Sequence, residues 1–242
     1  MNEALLQIRD GWFGEDALDY REAWELQRTL HAQRAADEIG DVALFLEHPP
    51  TYTAGRRTEP HERPQDGTPV IDVDRGGKIT FHGPGQLVGY PITRLPSHVL
   101  VVDYVRRVEE ALIRAVADLG VTAGRVDGRS GVWLPAGHRH PERKIAAIGI
   151  RVSRSVTMHG FSLNADVDLG WYDRFVPCGI ADAGVTSLSV ELGRDVTVPE
   201  TAEAVRPHLV DLLRWKPYTP SPDIDRAAVS SPSVPVLGTA AR

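Results

Sequence analysis

The apolar positions along the chain follow two repeats, which predict a mixture of helices and strands. Spacings of three and four residues are typical of one helix face, and alternation is typical of a half-buried strand. The helical repeat predicts helices over Asp16–Ala36, Val101–Leu119 and Pro199–Trp215. Short apolar runs bounded by turn residues predict strands over Ala4–Ile8, Asp41–Glu47, Val70–Val73, Lys78–Phe81, Leu87–Ile92, Gly131–Leu134, Lys144–Val152 and Thr157–Leu163.

Strands separated by helices are typical of an α/β domain. The close spacing of strands between Val70 and Ile92 indicates hairpins within a mixed β-sheet flanked by helices. A chain of 242 residues with 42% hydrophobic content suits one buried core. We therefore predict a single domain over residues 1–216. The Pro- and Ser-rich stretch from Pro217 predicts a disordered tail over residues 217–242.

Charge and cysteine content narrow the classes of function. The formal net charge of -6 argues against a general nucleic-acid binder. No apolar run approaches the roughly 20 residues of a membrane span, and the N-terminus lacks the order of a signal peptide. We expect a soluble, cytoplasmic protein without a membrane partner. Cys178 is the only cysteine, which excludes an internal disulfide and fits a reducing compartment.

The segment Arg75–Pro91 is unusually rich in glycine and polar donors, and it lies between two strand-like runs. Glycines let a ligand approach the backbone amides closely, which favours a binding loop. A Gly-rich hairpin corner explains the same pattern about as well. A dinucleotide loop fits poorly, because such a loop opens a helix and this one joins two strands.

Lysine is rare here, occurring only at Lys78, Lys144 and Lys216, while arginine is common. A site that needs a cation able to lose its proton must use lysine, since arginine stays charged. Lys216 follows a predicted helix, where a cation suits the helix dipole. Lys144 begins a strand-like run, where the alternative is a solvated charge at a sheet edge.

Cys178 follows Pro177 and precedes Gly179, a setting typical of a loop that presents its central side chain. A buried, inert thiol is the alternative for a lone cysteine. A nucleophilic cysteine needs a neighbour that lowers its pKa, and Lys144, His82 and His159 are the candidates. Each of these histidines, taken singly, is also explained as a turn or core residue.

His138 and His140 have a spacing that occurs in metal sites. No acid or cysteine nearby completes a ligand set, so a solvated loop is the better interpretation. We predict no metal site.

Several segments, in order, resemble the octanoyltransferases of lipoate biosynthesis, members of the biotin/lipoate protein ligase-like superfamily. The resemblance covers the chain from the first strand to the final helix and departs from the family pattern mainly in the loop Ala136–Arg143. The segments are Arg75–Pro91, Lys144–Gly149, His159–Asn164 and Pro177–Ile180, supported by His48–Arg56, Gly131–Trp133 and Val185–Leu188.

The resemblance implies a fold like the catalytic domain of biotin protein ligase and lipoate ligase. It implies that Cys178 is the nucleophile that carries the acyl group as a thioester, and that Lys144 lowers its pKa. No cofactor is implied. The substrate-binding residues implied by the matching motifs are Arg75, Gly76, Gly77, Lys78, Ile79, Thr80, Phe81, His82, Ala147, Ile148, Gly149, Gly160, Phe161 and Ser162. Ile79, Phe81 and Ile148 are the candidates to line an acyl tunnel.

The expected partners are octanoyl-acyl carrier protein and the lipoyl domains of 2-oxoacid dehydrogenase E2 subunits and of the glycine cleavage H protein. The resemblance thus implies transfer of octanoyl from the carrier to a lysine of these domains. We expect a monomer that binds no nucleic acid. Two alternatives stay open. An ATP-dependent lipoate or biotin ligase would keep a lysine at position 144 but not need Cys178. In a non-catalytic acyl- or carrier-binding module, Cys178 would be only a core residue.

Overall fold

The computed structural model describes residues 5–64, 68–137, 140–175 and 183–224. The strands are β1 Gln7–Trp12, β2 Val42–Leu46, β3 Thr51–Ala54, β4 Val70–Asp72, β5 Thr80–His82, β6 Gln86–Ile92, β7 Gly124–Val126, β8 Arg129–Leu134, β9 Arg143–Ser153, β10 Val156–Asn164 and β11 Gly184–Val185. The helices are α1 Tyr20–Ala35, α2 Val101–Asp118, α3 Leu188–Leu192 and α4 Val198–Leu212, and 3₁₀ turns span Gly14–Asp16, Pro60–Glu62 and Leu169–Arg174.

The strands form an eight-stranded sheet and a separate three-stranded sheet. The large sheet has the order β1-β2-β6-β10-β9-β8-β7, with β11 added beside β9. β1 runs parallel to β2 and β11 runs parallel to β9, whereas the other neighbours in the large sheet are antiparallel. In the small sheet β3 lies between β4 and β5. The predicted α/β fold with a mixed sheet and flanking helices is confirmed.

Strand β2 has an apolar side chain at every position because the large sheet is covered on both faces. Val42, Leu44 and Leu46 pack in a cluster with Ala23 and Leu30 of α1. Ala43 and Phe45 of the same strand belong to the main core, which includes the apolar faces of α2 and α4. Thus α1 covers one face of the sheet, and α2 and α4 cover the other.

Helix α1 begins at Tyr20, later than the predicted start at Asp16. A 3₁₀ turn occupies Gly14–Asp16, and the Asp19 side chain caps the helix by accepting a hydrogen bond of 2.8 Å from the Arg21 amide. The cap places the buried Tyr20 ring at the first turn of the helix.

Three short strands, β3, β7 and β11, were not predicted. The pair Pro49–Pro50 indicates a break, yet β3 follows directly, and Tyr52 pairs with Phe81 of β5. Prolines lack the amide that a ladder needs, but the β-branched and aromatic residues after them can pair. β11 is too short to leave a periodic signal, and its Val185 pairs with Lys144.

The residues after α4 remain attached to the domain as far as Ile224, which differs from the expected disorder from residue 217. The Ser221 amide and hydroxyl donate to Glu110 at 3.0 and 2.9 Å, and the Ile224 amide donates to the Arg125 carbonyl at 2.8 Å. Residues 225–242 of the predicted tail lie outside the described residues. Among the described helices, none combines the length and apolar character that crossing a bilayer requires.

Candidate active site

A cavity of about 260 Å³ lies between the Gly-rich segment after β4 and strands β9 and β10 of the large sheet. Tyr20 at the start of α1 and Tyr90 of β6 form part of its wall. Most of the substrate-binding residues implied by the sequence line it, together with Lys144. These are Arg75, Gly77, Lys78, Thr80, His82, Ala147, Ile148, Gly149, Gly160, Phe161 and Ser162.

Two of the implied residues lie elsewhere because side chains alternate along a strand. Thr80 and His82 line the cavity, so Ile79 and Phe81 point to the opposite face of the small sheet. Both are fully buried there in an aromatic cluster, in which the Phe81 ring stacks on Trp171 at 4.9 Å between ring centres. Ile148 alone, of the three expected tunnel residues, lines the cavity.

Arg75 holds the Gly-rich segment in shape from within. Its guanidinium donates to the Lys78 carbonyl at 2.8 Å and the Gly76 carbonyl at 3.0 Å, and to the carbonyl and hydroxyl of Thr53, both at 2.9 Å. Gly76 lies beside the cavity rather than in its wall, and its amide donates to the Ile150 carbonyl of β9 at 2.9 Å. The segment is therefore tied to both sheets.

Glycine at position 149 is explained by the close approach of this segment. A Cβ atom there would lie 3.0 Å from Arg75 Cδ and 3.1 Å from the Gly76 carbonyl oxygen. A side chain at this position would force Arg75 and the Gly76 carbonyl to shift by a few tenths of an ångström, so glycine favours the close approach of the segment to β9.

Lys78 is anchored by an ion pair with the buried carboxylate of Glu62. Burial raises the pKa of Glu62, but the hydrogen bonds from Lys78 and from the Glu59 amide outweigh it and lower the pKa below its usual value. The ion pair thus fixes the position of the Lys78 side chain in the cavity wall.

Lys144 lies on β9, in the interior of the large sheet. The strand pairs Lys144 with Trp133 of β8 on one side and Val185 of β11 on the other, and the Thr186 amide donates to the Lys144 carbonyl at 3.0 Å. The ammonium nitrogen lies 4.6 Å from the centre of the buried Trp133 ring and lines the cavity. The structure therefore differs from a solvated charge at a sheet edge.

His82 is a buried, neutral histidine in the cavity wall. Its ring stacks on Tyr20 at 5.9 Å between centres and meets His48 edge to face at 5.8 Å. Burial, with a smaller contribution from His48, lowers the pKa of His82 well below 6.5. At neutral pH the uncharged ring can accept a hydrogen bond from a ligand.

His159 pairs with Asp74, and Arg151 completes a salt bridge to the same carboxylate. The His159 Nε2 to Asp74 Oδ1 distance is 2.7 Å. This hydrogen bond, together with the Arg151 charge, lowers the pKa of Asp74 to about 2, whereas burial lowers the pKa of His159. The hydrogen bond from His159 and the salt bridge from Arg151 tie strands β9 and β10 to Asp74, beside the Gly-rich segment.

Sequence reasoning missed several cavity residues because only the fold brings them near. Tyr20 comes from the first turn of α1 and Tyr90 from β6. Gly128, with a φ of +74°, comes from the Asp127–Gly128 turn between β7 and β8, and Arg129 and Ser130 come from the start of β8. Arg57 extends into the cavity from the loop after β3.

Cys178, the implied nucleophile, lies outside the described residues, as does His138. Within the described ranges no group of three histidine, cysteine or acidic side chains is arranged to hold a metal ion.

The mixed sheet with helices on both faces and a cavity at its centre places the chain in the class of α/β catalytic domains seen in lipoate protein ligases. The bipartite lipoate protein ligase of Thermoplasma acidophilum superposes with a TM-score of 0.59 at 15% identity, covering 88% of this chain and 84% of that one. That likeness concerns the fold.

The chain belongs to the family described as the lipoyl protein ligase A/B catalytic domain, which matches residues 19–210. It is 67% identical to the octanoyltransferase of Salinispora tropica, an alignment that covers 81% of this chain and 92% of the relative. It is 51% identical to the octanoyltransferase of Streptomyces griseus, covering 91% of this chain and 96% of the relative. The similarity extends over nearly the full length of these relatives.

Proposed function

We propose that this chain is an octanoyltransferase. It moves an octanoyl group from octanoyl-acyl carrier protein to a specific lysine of lipoyl domains, the first step of endogenous protein lipoylation. The observation that carries the proposal is the convergence of Lys144 and the motif residues on one cavity. Relatives at 51–67% identity that bear the name octanoyltransferase support it.

Cys178 is the proposed nucleophile, and chain connectivity supports this role. β11 begins at Gly184 and pairs with Arg143 and Lys144. The six-residue step from Cys178 to Gly184 spans at most about 20 Å. This covalent limit makes the role proposed for Cys178 compatible with the position of Lys144.

In the first half-reaction the Cys178 thiolate attacks the carbonyl carbon of the octanoyl thioester. A new carbon–sulfur bond forms, the bond to the carrier sulfur breaks, and the carrier leaves as a thiol with a proton from the Lys144 ammonium, so that Lys144 becomes neutral. One thioester replaces another, so the step is nearly isoenergetic and needs no ATP. The Lys144 ammonium stabilises the Cys178 thiolate before the attack.

In the second half-reaction the amine of the acceptor lysine attacks the enzyme thioester. The amide bond forms, the bond to Cys178 breaks, and the proton of the attacking amine passes to the neutral form of Lys144. Lys144 thus returns to its charged state next to the regenerated thiolate. The reaction as written uses no metal or other cofactor.

The cavity provides the surfaces that this chemistry needs. Ile148 and Phe161 supply apolar wall for the octanoyl chain, and each buried methylene contributes about 0.8 kcal/mol. The glycines at positions 77, 149 and 160 leave backbone exposed to the ligand. Backbone amides there are the proposed donors to the oxyanion, worth about 3 kcal/mol each in comparable sites.

The proposed protein partners are the acyl carrier protein and the lipoyl domains of 2-oxoacid dehydrogenase E2 subunits and glycine cleavage H protein. Arg57 and Arg129 line the cavity, and Arg56 is exposed beside it. These positive charges suit acidic partner surfaces. We place the enzyme in the cytoplasm as a monomer that contacts neither membrane nor nucleic acid.

The test is to mix the protein with octanoyl-loaded carrier and to measure its intact mass. An octanoyl adduct that hydroxylamine removes, that is absent in Cys178→Ser, and that disappears when an acceptor lipoyl domain is added is the expected result. Acylation of the acceptor from free octanoate only with ATP would instead identify a ligase. If neither an octanoyl adduct nor an acylated acceptor forms, the chain is a non-catalytic acyl- or carrier-binding module.

A further inference from the structure

The buried side chain of Asn164, at the end of β10, joins several separate segments of the chain by hydrogen bonds. Its Nδ2 donates to the Thr186 carbonyl at 2.9 Å, just after β11. Its Oδ1 accepts from Gln86 Nε2 at 2.9 Å and from the Tyr172 hydroxyl at 3.1 Å. Gln86 Nε2 also lies 2.9 Å from the Tyr172 hydroxyl, and Gln86 Oε1 lies 2.8 Å from His82 Nδ1.

The Thr186 carbonyl sets the direction of this whole chain of hydrogen bonds. A carbonyl only accepts, so the group of Asn164 that faces it must be the amide nitrogen. Asn164 Oδ1 then faces Gln86, which must present its own nitrogen. Gln86 Oε1 is left for His82, so His82 must carry its proton on Nδ1. The Nε2 atom of this neutral histidine is therefore an acceptor.

The network adjoins Lys144 as well as His82. The Thr186 residue that accepts from Asn164 donates its own amide to the Lys144 carbonyl at 3.0 Å. Asn164 and Tyr172 line a small cavity of about 20 Å³ together with Lys144, Thr80 and Ser162, all three of which also line the main cavity. The buried amide of Asn164 thus links strand β5, which carries His82, to the paired strands β9 and β11 next to Lys144.

We propose that Asn164 is a positioning residue of the transfer reaction. Through Gln86 and Tyr172 on one side and Thr186 on the other, it fixes His82 and Lys144 relative to each other across the cavity. This inference rests on the proposed octanoyl transfer. Buried networks of this kind act as a unit, since an unsatisfied member costs more than one bond.

Asn164→Asp tests the role with almost no change in volume. The aspartate keeps the oxygen that Gln86 and Tyr172 donate to, but it cannot donate to the Thr186 carbonyl. Tyr172→Phe is a second, milder variant that keeps the ring and loses only the hydroxyl. Thr201→Val is the matched control, because it removes a buried hydroxyl that donates within α4, on the far face of the sheet.

The measurements are the rate of adduct formation on Cys178, the rate of transfer to a lipoyl domain, and the melting temperature of each variant. For Asn164→Asp we expect kcat to fall about 10- to 100-fold with KM for the octanoyl carrier within about twofold, because misplaced reacting groups lower the rate more than binding. For Tyr172→Phe we expect a fall of about 3- to 10-fold, and Thr201→Val keeps the wild-type rate.

A folded Asn164→Asp enzyme with the wild-type kcat would overturn the proposal. So would a loss that only follows the fraction of unfolded protein, or one that appears in KM with kcat intact. If Asn164→Asp does not fold, Tyr172→Phe decides, and an unchanged kcat in that variant counts against the network. Wild-type protein that forms no octanoyl adduct overturns the proposed function and this inference together, whereas active wild type with active variants overturns this inference alone.

Discussion

The ammonium nitrogen of Lys144 lies 4.6 Å from the centre of the Trp133 ring. The relationship follows from the register of the sheet, in which Trp133 on β8 pairs with Lys144 on β9. Gly131 lets β8 approach β9 at this point, because its φ is +112° and a Cβ atom there would lie 2.4 Å from the Ala146 carbonyl oxygen. The electron-rich ring face attracts a cation, so Trp133 helps to hold the Lys144 side chain in place.

Replacing Trp133 with leucine should therefore slow the transfer reaction. Loss of a partly desolvated cation–π contact of about 0.5–2 kcal/mol corresponds to a rate lower by about 2- to 30-fold. Trp133→Phe keeps a ring face and should retain more of the rate, although both variants lose packing in the core. The comparison of steady-state rates at a temperature where both are folded separates the two effects. Equal rates for the phenylalanine and leucine variants would argue against the cation–π contact.

Lys144→Arg should separate the two roles proposed for this residue. Arginine keeps the positive charge that stabilises a Cys178 thiolate, but it cannot take a proton from the acceptor amine. We expect amide transfer to fall more severely than the rate at which iodoacetamide alkylates Cys178. Both rates are measured on the same preparation. A fall by the same factor in each would contradict the dual role.

Gly149→Ala should weaken substrate binding by displacing the Gly-rich segment. The added methyl group meets Arg75 Cδ at 3.0 Å and the Gly76 carbonyl oxygen at 3.1 Å, contacts too short to keep without movement. We expect KM for the octanoyl carrier to rise by about tenfold, on the order of 1.4 kcal/mol. Gly137→Ala is the control, because a Cβ atom there meets nothing within 4 Å among the described residues. A similar KM in both variants would count against the tight wall at Gly149.

The parts of the site that the sequence could predict lie within short motifs. Short sequence motifs were enough to single out Arg75, His82, Lys144 and Ser162 as site residues. The fold brings all four to one cavity. The sequence also predicted the strands and the helix around them, because β6, β9 and α2 have regular apolar repeats. Local pattern and tertiary structure agree there.

The rest depends on distant contacts that local sequence does not encode. Tyr20 is an ordinary first-turn residue of α1 until the helix is placed over the sheet beside His82. Ile79 and Phe81 belong to the matching motif, yet strand alternation turns them away from the cavity. The network through Asn164 and Gln86 spans residues far apart in the chain and leaves no periodic signal.

The stability of the fold should fall in mild acid because of buried neutral histidines. Burial lowers the pKa of His48 to about 4 from its usual 6.5, despite the opposing effect of the Leu18 carbonyl that accepts from its ring. The unfolded chain binds a proton at His48 below pH 6.5, whereas the folded chain does so only near pH 4. The stabilisation is therefore complete above pH 6.5, and about 3 kcal/mol is lost as the pH falls to 4.

Urea unfolding between pH 7 and pH 4 measures this loss directly. His82 and His159 also have lowered pKa values through burial, so they add to the slope in the same direction. His48→Asn should be less stable at pH 7, because it loses the hydrogen bond with the Tyr90 hydroxyl at 2.8 Å. It should nevertheless show a shallower fall in unfolding free energy below pH 6.5. An unchanged slope would place the acid sensitivity in other groups.

The segment from Pro217 to Ile224 should stabilise the domain by satisfying Glu110. That carboxylate is buried and receives the Ser221 amide and hydroxyl together with the guanidinium groups of Arg114 and Arg125. A chain that ends at Lys216 loses both Ser221 donors and the bond from the Ile224 amide to the Arg125 carbonyl. We expect its free energy of unfolding to fall by about 1–3 kcal/mol, the usual cost of leaving a buried acceptor short of partners. A chain that ends at Ile224 keeps these bonds and should be more stable in urea unfolding than the chain that ends at Lys216. Equal stability of the two truncated chains would show that the bonds of Ser221 and Ile224 do not contribute.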